Sequence, residues 1–205
     1  MNRKQFFDEQ AEKWMDMWYK DPSTGRYDKH EENFKRLFSL LPLRPGDRVL
    51  DVGCGTGVLV PYVLERITSK GLLIELDYSE KMIEVNRRLH PEANLRFLVE
   101  EAEETSVEEA SCDAIICFSS FPHFHDKEKA MERFSRILKP GGFLAIAHFE
   151  SSEGIKKHHA SCPPVMHDHL PEEPSMRSMF QRFGLKVERF IDEPGFYCVL
   201  GKKVS

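Results

Sequence analysis

The stretch Val49-Leu50-Asp51-Val52-Gly53-Cys54-Gly55-Thr56-Gly57 constrains this chain more than any other. A short apolar run, expected as a buried strand over residues 48–52, enters three glycines at two-residue spacing, and a second apolar run follows over 58–64. Glycines let the backbone turn tightly from strand to helix and let a ligand approach the main chain. A strand built this way needs parallel neighbours, and the chain supplies them. Residues 72–76, 95–99, 113–118 and 143–149 read as strands. Helical patterns separate them: one capped by Ser79 and running through Leu89, and one over 126–138 closed by Lys139-Pro140-Gly141-Gly142. Strands alternating with helices imply parallel β-α-β units with right-handed crossovers.

The two ends differ from this middle. Phe6, Phe7, Ala11, Trp14, Met15 and Trp18 form an amphipathic stripe, and Phe34, Leu37, Phe38, Leu40 and Leu41 form another, stopped by Pro42. At the C-terminal end a helix is expected over 176–183, then strands over 185–191 and 195–201. Asp192-Glu193-Pro194 between those strands leaves room only for a hairpin, so the last strand must run antiparallel. A length of 205 residues suits one domain.

The glycine spacing is G-x-G-x-G, with Val58 where a dinucleotide fingerprint wants its third glycine, and the P-loop lysine is absent. A pyrophosphate pocket and an NAD-dependent oxidoreductase are therefore disfavoured. Asp51 suits a positive amino group. Asp77, at the end of the second strand, can accept both hydroxyls of a ribose. Glu100-Glu101-Ala102-Glu103 places a backbone amide where it can meet an adenine edge. Together these describe a site for S-adenosylmethionine.

The chain resembles the class I S-adenosylmethionine-dependent methyltransferases of the type called methyltransferase domain 11 or UbiE-like. The resemblance runs over about 34–149. It rests on the glycine segment above, on Asp77-Tyr78-Ser79-Glu80-Lys81-Met82, on Cys112-Asp113-Ala114-Ile115-Ile116 and on Arg136-Ile137-Leu138-Lys139-Pro140-Gly141-Gly142. It implies an α/β, three-layer, Rossmann-like methyltransferase fold. The seven-stranded sheet would have order 3-2-1-4-5-7-6 with strand 7 antiparallel, as the terminal hairpin independently requires. Carried onto these residues, Asp51, Gly53, Cys54 and Gly55 would line the methionine part of the cofactor. Asp77 would bind the ribose, and Tyr78 would pack on the adenine with Met82 in the same motif. Glu101 stands where the family usually has Asp and would reach the adenine amine, with Ala102 beside it. Phe118 or Ser119 would sit near the sulfonium. The chain would be one domain, divided into an N-terminal helical lid over 1–42, a cofactor-binding core over 43–149, a histidine-rich substrate or metal loop over 150–171, and a C-terminal helix and hairpin over 172–205.

Methyl transfer asks little beyond alignment and a weak base. His148 and His123 are the candidates for a catalytic role. Cys117-Phe118-Ser119-Ser120-Phe121-Pro122 replaces the Asn/Asp-Pro-Pro-Tyr type of sequence found in enzymes that methylate planar amines, which argues against those substrates. Five of the nine histidines fall in 148–169. His158 and Cys162 would share a face if that segment is helical, and His167 and His169 would share a side if theirs is extended. Those four could converge on a transition metal such as Zn or Fe. A solvated or substrate-gripping loop, or a general-base histidine, are the other readings, and the spacing does not choose among them.

The aromatic first helix would cover the cofactor, which favours a small-molecule methyl acceptor. A net charge of −5 argues against nucleic acid as partner. No apolar run is long enough for a membrane span, and Met1 to Glu9 carries acids where a leader peptide has its apolar stretch. Five unpaired-looking cysteines fit a reducing, cytoplasmic setting. A non-catalytic S-adenosylmethionine-binding sensor or partner subunit is the alternative to an enzyme. Nothing in the sequence fixes the oligomeric state.

Overall fold

The computed structural model describes residues 3–204; residues 1, 2 and 205, the first two of which belong to the expected lid, lie outside the described residues. Seven strands form one sheet: β1 (Arg48–Val52), β2 (Leu72–Asp77), β3 (Leu95–Val99), β4 (Cys112–Phe118), β5 (Leu138–His148), β6 (Leu185–Glu193) and β7 (Phe196–Lys203). Their order is β3-β2-β1-β4-β5-β7-β6. Neighbours through β5 are parallel, and β7 runs antiparallel to both β5 and β6. This is the Rossmann-like sheet that the resemblance and the terminal hairpin implied.

Eight α-helices accompany the sheet among the described residues: α1 (Arg3–Gln10), α2 (Trp14–Trp18), α3 (Glu31–Leu40), α4 (Val60–Ile67), α5 (Glu80–Leu89), α6 (Lys127–Ile137), α7 (Ser152–Ala160) and α8 (Glu173–Arg182). Successive strand residues point to opposite faces, and each face builds its own core. Val49, Leu73, Ala114, Ile116 and Ala145 pack against Phe34, Leu37 and Phe38 of α3 and Val60, Val63 and Ile67 of α4. Leu50, Ile74, Ile115 and Leu144 pack against Ala130, Met131 and Phe134 of α6 and Met176 and Phe180 of α8. None of the described helices is long and apolar enough to cross a membrane.

Local chemistry sets the element ends. Ser79 Oγ accepts from the Met82 amide at 3.1 Å, capping α5, and Asp126 accepts from the Lys129 amide at 3.0 Å, capping α6. Each such cap stabilises by about 1 kcal/mol. Several boundaries differ from the sequence reading: the last helix starts at Glu173 rather than at Met176, and β6 runs to Glu193, leaving Pro194-Gly195 as the link to β7. β5 begins at Leu138 rather than at Phe143, because Leu138 pairs with Cys112 before an irregularity that Gly141 and Gly142 accommodate. The first stripe is not one helix but α1, a 3-10 turn over Ala11–Lys13, and α2. α1 buries none of its residues, so its aromatic side chains are left to line the cavities described below.

Candidate functional site

The site forms where β1 ends. The amides of Gly53 and Cys54 donate to the carbonyl of Leu76 at 2.7 and 3.1 Å, which draws the glycine turn onto β2. Gly53 sits at φ +69°, and a Cβ there would lie 2.4 Å from Cβ of Ser120, so no other residue fits without displacement. Asp77 completes the turn: its Oδ2 accepts from the Gly55 amide at 2.9 Å and its Oδ1 from the Ser79 amide at 2.8 Å. One carboxylate thus holds the glycine turn and the entry to α5 together, with the second lone pair of each oxygen still open to a ligand.

Asp51 is only 1 % exposed, and neither of its carboxyl oxygens has a hydrogen-bond partner. Burial, then Glu75 and Asp77, push its pKa well above the usual carboxylate range. Burial raises Asp77 to about 6 and Glu75 to about 7. A cluster of buried carboxyls costs free energy unless a cation or hydrogen-bond donors meet it. The orphaned oxygens of Asp51 therefore fit the ammonium of an amino-acid ligand, and the glycine turn beside them leaves the main chain open to close approach.

All eleven residues expected to bind cofactor line one cavity of about 210 Å³: Asp51, Gly53, Cys54, Gly55, Asp77, Tyr78, Met82, Glu101, Ala102, Phe118 and Ser119. Asp51 and the glycines come from β1 and its turn, Asp77 and Tyr78 from the end of β2, and Met82 from α5. Glu101 and Ala102 follow β3, and Phe118 and Ser119 end β4. Tyr78 and Phe7 meet edge-to-face at 6.2 Å, which brings α1 over the Tyr78 end of that cavity. Ser119 holds φ +53°, a left-handed backbone unusual for a residue with a side chain. Sequence reading missed Thr56, whose buried hydroxyl lacks a partner, whereas Phe7, Trp14 and Tyr19 of the aromatic N-terminal segment line the cavity.

A second cavity of about 360 Å³ adjoins the first. Phe118, Ser119 and His123 line both, as do Phe7, Trp14 and Tyr19. His148 lines the second, 5 % exposed, with its Nε2 buried and unpartnered. Burial, with His123 and His159 nearby, depresses its basicity to about 3. It is a neutral hydrogen-bonding group rather than a strong base. His123 is differently equipped: its Nδ1 lies 2.7 Å from Oδ2 of Asp168.

The expected metal set does not converge. α7 ends at Ala160, and Cys162 is extended, so the helical face that would join His158 to Cys162 is broken between them. His158 is exposed and sits edge-on to Trp18 at 5.7 Å. Cys162 lies with it along the second cavity, while His167 and His169 are exposed and His169 donates to the carbonyl of His167 at 2.9 Å. Among the described residues, no three His, Cys, Asp or Glu side chains group as a metal site requires. Asp168, between His167 and His169, turns inward instead and is buried.

Comparison with known proteins follows the same lines. The methyltransferase domain family model matches residues 50–146. The chain is 33% identical over 118 residues to the 27-O-demethylrifamycin SV methyltransferase of Amycolatopsis mediterranei (strain S699), covering 56% of this chain and 43% of that protein. It is 28% identical over 185 residues to the aklanonic acid methyltransferase DauC of Streptomyces sp. (strain C5), covering 84% of each. The chain thus spans less than half the length of the first of these relatives and most of the second. Its fold matches the crystal structure of a SAM dependent methyltransferase from Aquifex aeolicus with a TM-score of 0.75 at 22% identity, over 96% of this chain and 98% of that one.

Proposed function

We propose, from the match of the methyltransferase domain family model over residues 50–146, that the chain is a class I S-adenosylmethionine-dependent methyltransferase and that it methylates a small-molecule acceptor. The cofactor would lie in the first cavity and the acceptor in the second. The observation that carries this reading is the junction: Phe118, Ser119 and His123 line both cavities, so two ligands would meet there. When bound, S-adenosylmethionine supplies a methyl group on a sulfonium, an electrophile that needs an aligned nucleophile and little water.

The residues divide that work. Asp51 would take the ammonium of the cofactor and Asp77 the ribose hydroxyls, with Gly53, Cys54 and Gly55 flanking the methionine part. Tyr78, Met82, Glu101 and Ala102 would enclose the adenine. Phe118 and Ser119 would border the reacting carbon. His148 would orient the acceptor through its unpartnered Nε2, and His123 would accept a proton from it.

Residues 1–42 would act as a lid, because Phe7, Trp14 and Tyr19 wall both cavities from above the sheet. The core would then be 43–149, the acceptor-facing loop 150–171, and the C-terminal helix and hairpin 172–205. Metal assistance has no support in the positions of His158, Cys162, His167 and His169, and the proposed chemistry uses no metal. Burial of the free thiols Cys54, Cys112, Cys117 and Cys198 supports a cytoplasmic setting.

The test is transfer of labelled methyl from S-adenosylmethionine, starting with 27-O-demethylrifamycin SV and aklanonic acid, the compounds for which the two relatives are named. Label in a small-molecule product with matching S-adenosylhomocysteine supports the reading. Cofactor binding without transfer to any of a broad acceptor panel would favour a sensor or partner subunit.

A further inference from the structure

His123 does not stand alone. Its Nδ1 lies 2.7 Å from Oδ2 of Asp168, 45 residues away in sequence. The other carboxyl oxygen, Oδ1, accepts from the Arg3 guanidinium at 2.5 Å, and a second Arg3 nitrogen donates to the His123 carbonyl at 2.6 Å. Asp168 is fixed from behind as well. Its carbonyl accepts from Nδ1 of His159 at 2.7 Å, and its amide donates to the Val165 carbonyl at 2.9 Å. Its side chain is only 5 % exposed. A carboxylate can only accept hydrogen bonds, so the proton between Asp168 and His123 must sit on Nδ1. Nε2 is then the bare nitrogen, with no hydrogen-bond partner among the described residues. The ring lies where the two cavities join.

We propose that Arg3, Asp168 and His123 form a relay in which the N-terminal helix fixes the tautomer of the acceptor's base. The inference rests on the functional reading above and adds two positioning residues and an acceptor class. The acceptor carries a removable proton at its reacting atom, as a hydroxyl or an acidic C–H does. That bond breaks, Nε2–H forms, and the electron pair stays on the acceptor atom, which would bond to the methyl carbon as the methyl–sulfonium bond breaks and its pair returns to sulfur, leaving S-adenosylhomocysteine. Asp168 and Arg3 do not touch the acceptor. Arg3 comes from α1, so the base is complete only while α1 lies over the cavity, and closure over the ligands and assembly of the base are one event.

The relay has a signature that packing alone would not give. In Asp168→Asn the amide has one acceptor and one donor end. Arg3 demands the acceptor, so the amide NH2 faces Nδ1 of His123 and forces the proton to Nε2, the wrong tautomer for a base. Removing Arg3 frees the amide to turn its oxygen to Nδ1. Nitrogen-15 spectra of the histidine rings, taken with S-adenosylhomocysteine present, read this directly. The wild type should show Nδ1 protonated and Nε2 bare for His123. Asp168→Asn should exchange the two, and the double variant Arg3→Met/Asp168→Asn should recover the wild-type pattern in large part.

A protonated Nε2 in the wild type overturns the proposal without any variant. So does an Asp168→Asn spectrum unchanged by Arg3→Met. Calorimetric binding of S-adenosylhomocysteine to the same wild-type sample reports separately on the functional reading. Absence of binding overturns that reading, and the tautomer pattern alone decides the relay.

Discussion

Oδ2 of Asp77 accepts the Gly55 amide at 2.9 Å, joining the end of β2 to the glycine turn after β1. The residue assigned to the ribose is therefore also part of the turn that would cradle the methionine. Asp77→Asn keeps the shape but replaces charge-assisted acceptors with one neutral oxygen. Affinity for S-adenosylmethionine should fall by ~1–3 kcal/mol, about 5- to 150-fold, with the unfolding midpoint little changed. Unchanged affinity by calorimetry would remove Asp77 from the cofactor site.

Gly53 and Gly184 both hold positive φ, +69° and +71°, but only Gly53 is crowded. An added Cβ at Gly53 would meet Ser120, whose Oγ donates to the Val52 carbonyl at 2.6 Å, whereas Gly184 has nothing within 4 Å. Gly184→Ala should cost about 1–2 kcal/mol of backbone strain and leave cofactor binding intact. Gly53→Ala should cost more stability and also abolish binding, because the glycine turn and Ser120 must move apart. Thermal unfolding and calorimetry on the two variants separate strain from steric loss.

The buried carboxyls make cofactor binding pH-dependent. Burial raises the pKa of Asp77 from 3.8 to about 6 and that of Glu75 from 4.5 to about 7. Groups raised in the folded state contribute stability below their unfolded values and lose it as pH rises through the folded ones. In the cofactor-free protein this contribution is present near pH 4 and lost between about pH 6 and 7. A bound ammonium reverses the preference, favouring ionised carboxyls. Titration of S-adenosylmethionine near pH 6 should release protons, and affinity should rise from about pH 5 to 7. Equal binding heats in buffers of different ionisation enthalpy would contradict this.

His148 has the opposite sign. Burial depresses it from 6.5 to about 3, so its share of stability is present above pH 6.5 and lost as pH falls toward 3. His148→Phe should flatten the acid side of the stability profile while leaving cofactor affinity unchanged, since His148 lines the second cavity and not the first. With an acceptor identified, its KM should rise about 5- to 10-fold for one lost hydrogen bond. An acid profile identical to the wild type would mean that this imidazole is not held neutral.

The sheet was legible because each strand and turn is encoded locally. The glycine spacing, the cap at Ser79 and the short link at Asp192-Glu193-Pro194 each act within a few residues, and together they leave one topology. The lining of the first cavity was legible for the same reason: it comes from the ends of β1, β2, β3 and β4, where open α/β sheets place ligands. The acceptor side was not. His158 and Cys162 had helical spacing, but Pro163 and Pro164 follow, and the chain leaves the helix at Ser161 before their faces could align. Asp168 meets Arg3 across 165 residues and His123 across 45, and no periodicity records such contacts. An aspartate flanked by two histidines was the only local hint, and it pointed to a metal rather than to an imidazole held by a carboxylate.

The most direct test of a cofactor site built around Asp51 is a calorimetric titration of S-adenosylmethionine into the wild type and into Asp51→Asn. Both carboxyl oxygens of Asp51 are buried without partners, so the variant relieves a cost in the cofactor-free protein while deleting the counter-charge to the ammonium. One-to-one binding to the wild type, weakened on the order of 100-fold in Asp51→Asn, is the predicted result. Equal affinity in the two proteins, or no binding to either, would contradict the assignment.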